Sequence, residues 1–161
     1  MIDEGILDNP KVTAAIGGHV TAEMKCGNFK VKSGAIMASP DDFSIKFIGK
    51  SAHGAEPQNG ISPITPACEF VLKTSEIQKQ LCANTPNILS VCSVISDGSI
   101  NTIPDDALVL GTFRSFDDKY RNKAEILLKD LAKEVSKKYN VKLPENFYLV
   151  LNIYFYIFYH S

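Results

Sequence analysis

Four side chains in this sequence are of the types that bind metals, steady oxyanions or hold carboxylates. His19 ends the short apolar run AAIGGHV beside two glycines. An imidazole with so little bulk around it can offer a ring nitrogen to a metal ion. His53 lies in the glycine-rich loop KSAHGAEPQNG, where it can reach outward to donate a hydrogen bond to a developing oxyanion or to act as a base. Asn101, in SINTIPDD, precedes Pro104 in what reads as an ordered turn presenting an amide. Arg114, in GTFRSF, sits on a predicted strand, from which a guanidinium can grip a carboxylate through two parallel hydrogen bonds. Taken singly, each has a plainer reading: idle histidines, a turn-forming asparagine and a solvated arginine.

The elements that would position them follow from periodicity. DFSIKFIGK, from Asp42, alternates Phe43, Ile45 and Phe47 against Ser44 and Lys46, a half-buried strand expected to extend back through Ala35, Ile36 and Met37 with an interruption near Pro40. Ser62 and Pro63 suit a helix start, and Ile64, Cys68, Val71, Leu72 and Ser75 share one face of a helix running to about Leu81. ILSVCSVI (88–95) and ALVLGTFRSF (107–116) read as strands flanking a loop too long for a tight hairpin. Asp117 and Asp118 open a second helix with the stripe Tyr120, Ala124, Leu127, Leu128, Leu131 and Val135, and Val141 to Leu143 offers a closing strand. Strand, helix, strand, strand, helix, strand is the split βαβ order. The expected fold class is therefore α+β, ferredoxin-like, an antiparallel sheet with two helices on one face.

The 161 residues suit one ordinary domain with extra segments, and 45% hydrophobic with 22% charged residues is the balance of a packed chain. A net charge of -1 provides no field for a nucleic acid backbone, so no nucleic-acid partner is expected. Cys26, Cys68, Cys82 and Cys92 show no metal or redox spacing, and the start MIDEGILDNPKVTAA has no export signal; reduced thiols in a cytoplasmic protein are expected. Residues 147–159 hold seven aromatic residues and no charge, but the run is too short and too broken to span a membrane. Two readings stand for this tail: a core strand of another domain, or residues outside the natural frame, which we favour. Neither a phosphate-binding glycine-lysine loop nor GxSxG nor HExxH occurs.

The blocks GGHV, SGAIMASPDDFSIKFIGKSAHGAEPQNGISPI and SDGSINTIPDDALVLGTFRSFD, in this order and spacing, resemble the aminoacylase and hippurate hydrolase family of metal-dependent N-acyl-L-amino acid amidohydrolases, from about Val12 to Asn140. The resemblance implies a catalytic domain holding two divalent metal ions, of the zinc or manganese class, and an inserted lid that forms a homodimer. Residues 1–38 resemble the end of the catalytic domain's front half, 39–143 the lid, and 144–161 neither. His19 matches a metal ligand, His53 the lid histidine that steadies the oxyanion in the partner's site, and Asn101 and Arg114 positions around the substrate carboxylate. The family's other ligands have no counterpart here, so a fragment is expected, one that binds no metal tightly and does not hydrolyse N-acyl amino acids alone. His160, in the tail, matches no family block. A dipeptidase or carboxypeptidase relative with the same lid, and a non-catalytic ferredoxin-like binding module, are the alternatives.

Overall fold

Alternation of buried and more exposed side chains carries strand β1 through Ser39–Ile48, with Phe43, Ile45 and Phe47 turned inward. The computed structural model describes residues 4–14, 16–81, 86–145 and 149–150. They fall into one unit within Met1–Ile36 and another within Met37–Tyr156. The first is a succession of turns with one isolated bridge, Asp8 to Lys11. The second holds the regular structure.

After β1 come β2 (Ala52–His53), a short 3-10 turn, α1 (Ile64–Leu81), β3 (Asn87–Ile95), β4 (Thr102–Ile103), β5 (Asp106–Ser115), α2 (Asp118–Tyr139) and β6 (Leu149–Val150). The main sheet runs β3-β5-β1-β6, each pairing antiparallel. This is the ferredoxin-like order expected from the sequence. Ile45 stands opposite Val109 and Phe43 opposite Gly111, so the odd-numbered residues of both central strands face the helices. Phe70, Ile77 and Leu81 of α1 and Leu128, Leu131 and Val135 of α2 close over them. The Phe47 and Phe70 rings meet at 5.9 Å. Full burial of each such side chain is worth roughly 1.5–3 kcal/mol.

Three details depart from the sequence reading. Strand β1 begins at Ser39 and runs through Pro40, opposite Arg114, while Ala35 to Met37 are not strand; the first positions of a strand tolerate a missing donor. Helix α1 buries Pro66, Ala67, Phe70, Thr74, Ile77 and Leu81 rather than the expected stripe, leaving Leu72 75% and Ile64 41% exposed. Two apolar stripes lie on this helix, and the one carrying Phe70 won the core. Val141 to Leu143 form no strand; Lys142 instead makes a single bridge to Ile48, and β6 lies farther on, against Asp42 and Phe43. Apart from Pro144, Glu145 and the β6 backbone, the 144–161 tail, His160 included, lies outside the described residues.

Polar clamps tie helices to sheet. Asp41, 1% exposed, receives two hydrogen bonds of 2.7 Å from the Arg121 guanidinium at the start of α2. Asp117 caps that helix by accepting from the Lys119 amide, and Asn140 ends it with a left-handed φ of 54°. Between the helices, Glu69 accepts from Lys138 at 2.6 Å and from the Tyr139 hydroxyl at 2.5 Å, and pairs with Lys73 at 3.1 Å. These partners, Lys138 foremost, then Tyr139 and Lys73, hold the Glu69 carboxyl down at about 2.

Candidate functional site

A glycine-bounded loop carries His53. Lys50 and Ile61 exchange two backbone hydrogen bonds of 2.9 Å, closing residues 51–60 into a loop. Gly60 is required at that closure, since a Cβ there would stand 2.7 Å from the Ala52 Cβ and 2.8 Å from the Lys50 carbonyl. Within the loop, β2 pairs with β4, Ala52 opposite Ile103 and His53 opposite Thr102. Gly54 N–H donates to the Asn101 carbonyl at 2.7 Å. Two of the four residues singled out in the sequence, His53 and Asn101, are thus brought side by side on a two-stranded ribbon.

The hydrogen bonds of the His53 ring fix what it can do. Its Nδ1 lies 3.1 Å from the Ala55 backbone N–H, which can only donate. The neutral ring therefore accepts at Nδ1 and carries its proton on Nε2. The side chain is exposed, and among the described residues Nε2 has no partner. What the loop presents is an outward N–H donor. Asn101 is turned the same way chemically: its Oδ1 accepts from the Ser99 hydroxyl at 2.9 Å and from the Thr102 hydroxyl at 3.4 Å, leaving the NH2 group to donate.

His19 is the opposite case. It belongs to the first unit, is exposed, and its Nδ1 lies 2.8 Å from the Val20 carbonyl, which can only accept. The proton is then on Nδ1 and the lone pair on Nε2, the arrangement of a metal-ligating histidine whose second nitrogen bonds a backbone carbonyl. Among the described residues no three His, Cys, Asp or Glu side chains converge as a metal cluster, so His19 fits as one donor.

Arg114 stands apart from the ribbon. It is exposed near the far end of β5, on the face of the sheet turned from the helices. Strand β5 begins at Asp106, just after the ribbon, so the length to Arg114 is roughly 27 Å at about 3.4 Å per residue. Among the described residues no hydrogen bond or ion pair holds its guanidinium. A shallow depression on the same face, lined by Asp42, Ser44, Cys92, Leu110 and Thr112, includes neither His53 nor Asn101.

Reading the sequence missed the residues at the ribbon's base. Ser51 N–H donates to Asp105 Oδ1 at 2.8 Å, and the Ser51 hydroxyl donates to the Ile103 carbonyl at 2.9 Å. The signal available was a serine and an aspartate beside turn-forming residues, which any loop would show.

Comparison with known proteins gives the family. The model of the peptidase dimerisation domain matches residues 41–141. The chain is 31% identical to thermostable carboxypeptidase 2 of Saccharolobus solfataricus, over 92% of its own length and 38% of that protein's. It is 30% identical to the N-acetyl-L-cysteine deacetylase of Bacillus subtilis, over 88% of its length and 34% of that protein's. A solved chain from methicillin-resistant Staphylococcus aureus, provisionally described as an aminohydrolase, superposes with a TM-score of 0.70 at 26% identity, covering 89% of this chain and 36% of that one. The chain thus spans less than two fifths of the length of these two curated relatives.

Proposed function

The chain belongs to the peptidase dimerisation domain family, and on that footing we propose that residues 39–143 are the lid of a metal-dependent hydrolase of N-acyl amino acids, presenting His53 to the reaction centre of a second copy. The observation that carries this reading is the ribbon, which sets an outward Nε2–H donor beside an amide donor. Donors held in advance where charge will develop on oxygen are the strongest single device in amide hydrolysis, and removing one typically costs roughly a hundredfold or more in rate. Asn101 is proposed to contact the same substrate. Arg114 is proposed as a carboxylate clamp at a separate place on the open sheet face.

Residues 1–38 are proposed to belong to the catalytic domain, with His19 as their metal donor through Nε2. A divalent metal, when bound, supplies Lewis acidity toward the scissile carbonyl and acidifies water. A metal site needs three or four protein ligands, and His19 is one, so the chain by itself is proposed to be inactive. The homodimer is proposed to form through α1 and β3. Strand β3 is an edge of the sheet, and α1 lies against it, with the Gln78 side chain bonded to the Leu89 amide at 2.6 Å. Leu72, Ile88 and Ile95, at 75%, 60% and 45% exposure, flank that edge. An open strand beside apolar side chains is suited to two-fold extension of the sheet. No helix of the described residues is long and apolar enough to cross a membrane, and we propose the cytoplasm as location, with Cys26, Cys68 and Cys92 as free thiols.

A second reading, cleavage of peptides at their carboxyl end, is supported by the similarity to a carboxypeptidase. A purely binding module is disfavoured by the similarity to a carboxypeptidase and a deacetylase. Sedimentation and turnover test the proposal together. The chain is expected to sediment as a dimer that Leu72→Glu dissociates, and to hydrolyse no N-acetyl amino acid with zinc or manganese added. A monomer at high concentration, or metal-dependent turnover by the chain alone, would contradict it.

A further inference from the structure

We propose that Asp105 and Ser51 are positioning residues for the His53 imidazole. The ribbon that bears His53 is two residue pairs long, and no tight turn joins its strands; Ser51 and Asp105 are 54 residues apart in the chain. A two-stranded ribbon is marginal by itself even with a local turn. Its order must come from its base.

Three bonds stand there. Asp105 Oδ1 accepts from the Ser51 amide at 2.8 Å, the Ser51 hydroxyl donates to the Ile103 carbonyl at 2.9 Å, and the Gly49 amide donates to the Asp105 carbonyl at 2.8 Å. Two of the three depend on a side chain. The Lys50 and Ile61 exchange closes the His53 loop upon itself but does not attach it to β4. Beyond the two residue pairs of the ribbon and the Gly49 bond, the side-chain attachment to β4 is made by Asp105 and Ser51, and it is continued toward the tip by the Gly54 amide on the Asn101 carbonyl at 2.7 Å. At the tip, the Glu56 amide donates to the His53 carbonyl at 2.8 Å, forming the turn that places the Ala55 N–H on Nδ1. Loss of the base frees the turn, and with it the bond that puts the ring proton on Nε2.

The proposal rests on the reading of His53 given above for what Nε2–H is used for, but the clamp itself can be measured without any activity. Nitrogen-15 magnetic resonance of the full chain reports both the protonated ring nitrogen of His53 and hydrogen exchange at the Gly54 amide. In the unaltered chain His53 is expected as the Nε2–H tautomer with Gly54 protected. In Asp105→Ala the ring is expected to average between tautomers and Gly54 to exchange about tenfold faster, the effect of losing one hydrogen bond to a charged acceptor. The Ile45 and Val109 amides of the central strands serve as controls and should not change. Asp105→Asn keeps an acceptor oxygen and should restore both readouts; if Asp105→Ala fails to fold, Ser51→Ala, which removes the bond to Ile103, carries the same test. An Asp105→Ala chain with an unchanged His53 ring and an unchanged Gly54 amide overturns the proposal, as does an Asp105→Asn chain no better than Asp105→Ala. If the clamp holds but His53→Ala leaves the turnover of a complete enzyme unaltered, the function proposed for His53 fails and the clamp does not.

Discussion

Replacing Arg121 by alanine is expected to destabilise the dimerisation domain more than any surface change of similar size. Its guanidinium makes two bonds of 2.7 Å to an Asp41 carboxylate that is 1% exposed, and its own side chain is 11% exposed. Removing one partner of such a pair leaves a buried charge without compensation, a loss of about 3–5 kcal/mol. Against a total stability of about 5–15 kcal/mol, this is a large share. Lys46 and Asp106 also pair, at 2.8 Å, but with 44% and 38% exposure, so Lys46→Ala should cost roughly 0–1 kcal/mol. Because apolar replacement of both partners removes the desolvation penalty as well as the attraction, Asp41→Leu combined with Arg121→Met should recover most of the loss. Urea unfolding followed by circular dichroism suits a chain without tryptophan. Arg121→Ala within about 1 kcal/mol of the parent, or a double variant as weak as the sum of its singles, would refute the reasoning.

Acid should separate the parent from Glu69→Gln. Folding lowers the Glu69 carboxyl from 4.5 to about 2, so its contribution is complete above about 4.5 and is lost as pH falls through about 2. The thermal midpoint of the parent should therefore drop more steeply than that of Glu69→Gln over this range; parallel curves would contradict it. Lys73 and Lys138 are raised, Lys73 chiefly by Glu134 and Lys138 by Glu69, so their contribution is present below their ordinary range and is lost only as pH rises through the elevated values. Gly111→Ala should destabilise by about 1–3 kcal/mol or more, since its Cβ would stand 2.2 Å from the Phe43 ring and 2.4 Å from the Ser90 carbonyl. A neutral effect in urea unfolding would show that β1 and β5 have room to part.

Helix α2 was legible because its lysines and glutamates leave one apolar stripe, and burial of Ala124, Leu128, Leu131 and Val135 follows it. Helix α1 carries two stripes, and only packing against the sheet chooses between Phe70 and Leu72. Strand alternation exposed β1 and β5, and with them the sheet order. The candidate site was half legible: His53 and Asn101 stand out by type, whereas the pairing of β2 with β4 is too short and too distant in sequence for any periodicity to record. Ring protonation is a property of neighbouring backbone groups, Ala55 for His53 and Val20 for His19, and no spacing rule encodes it. Asp41, in SPDD, carries no signal of its clamp, because its partner Arg121 lies 80 residues away.

The central claim is that His53 serves a neighbour's reaction centre, and subunit complementation tests it most directly. Residues 39–143 are grafted in place of the lid of a complete family hydrolase, one version carrying His53→Ala and another lacking a metal ligand. Each should be nearly inactive by itself, and mixed dimers should regain turnover, because an intact His53 on one subunit meets an intact centre on the other. No recovery on mixing, or full activity of the His53→Ala version alone, would contradict the claim.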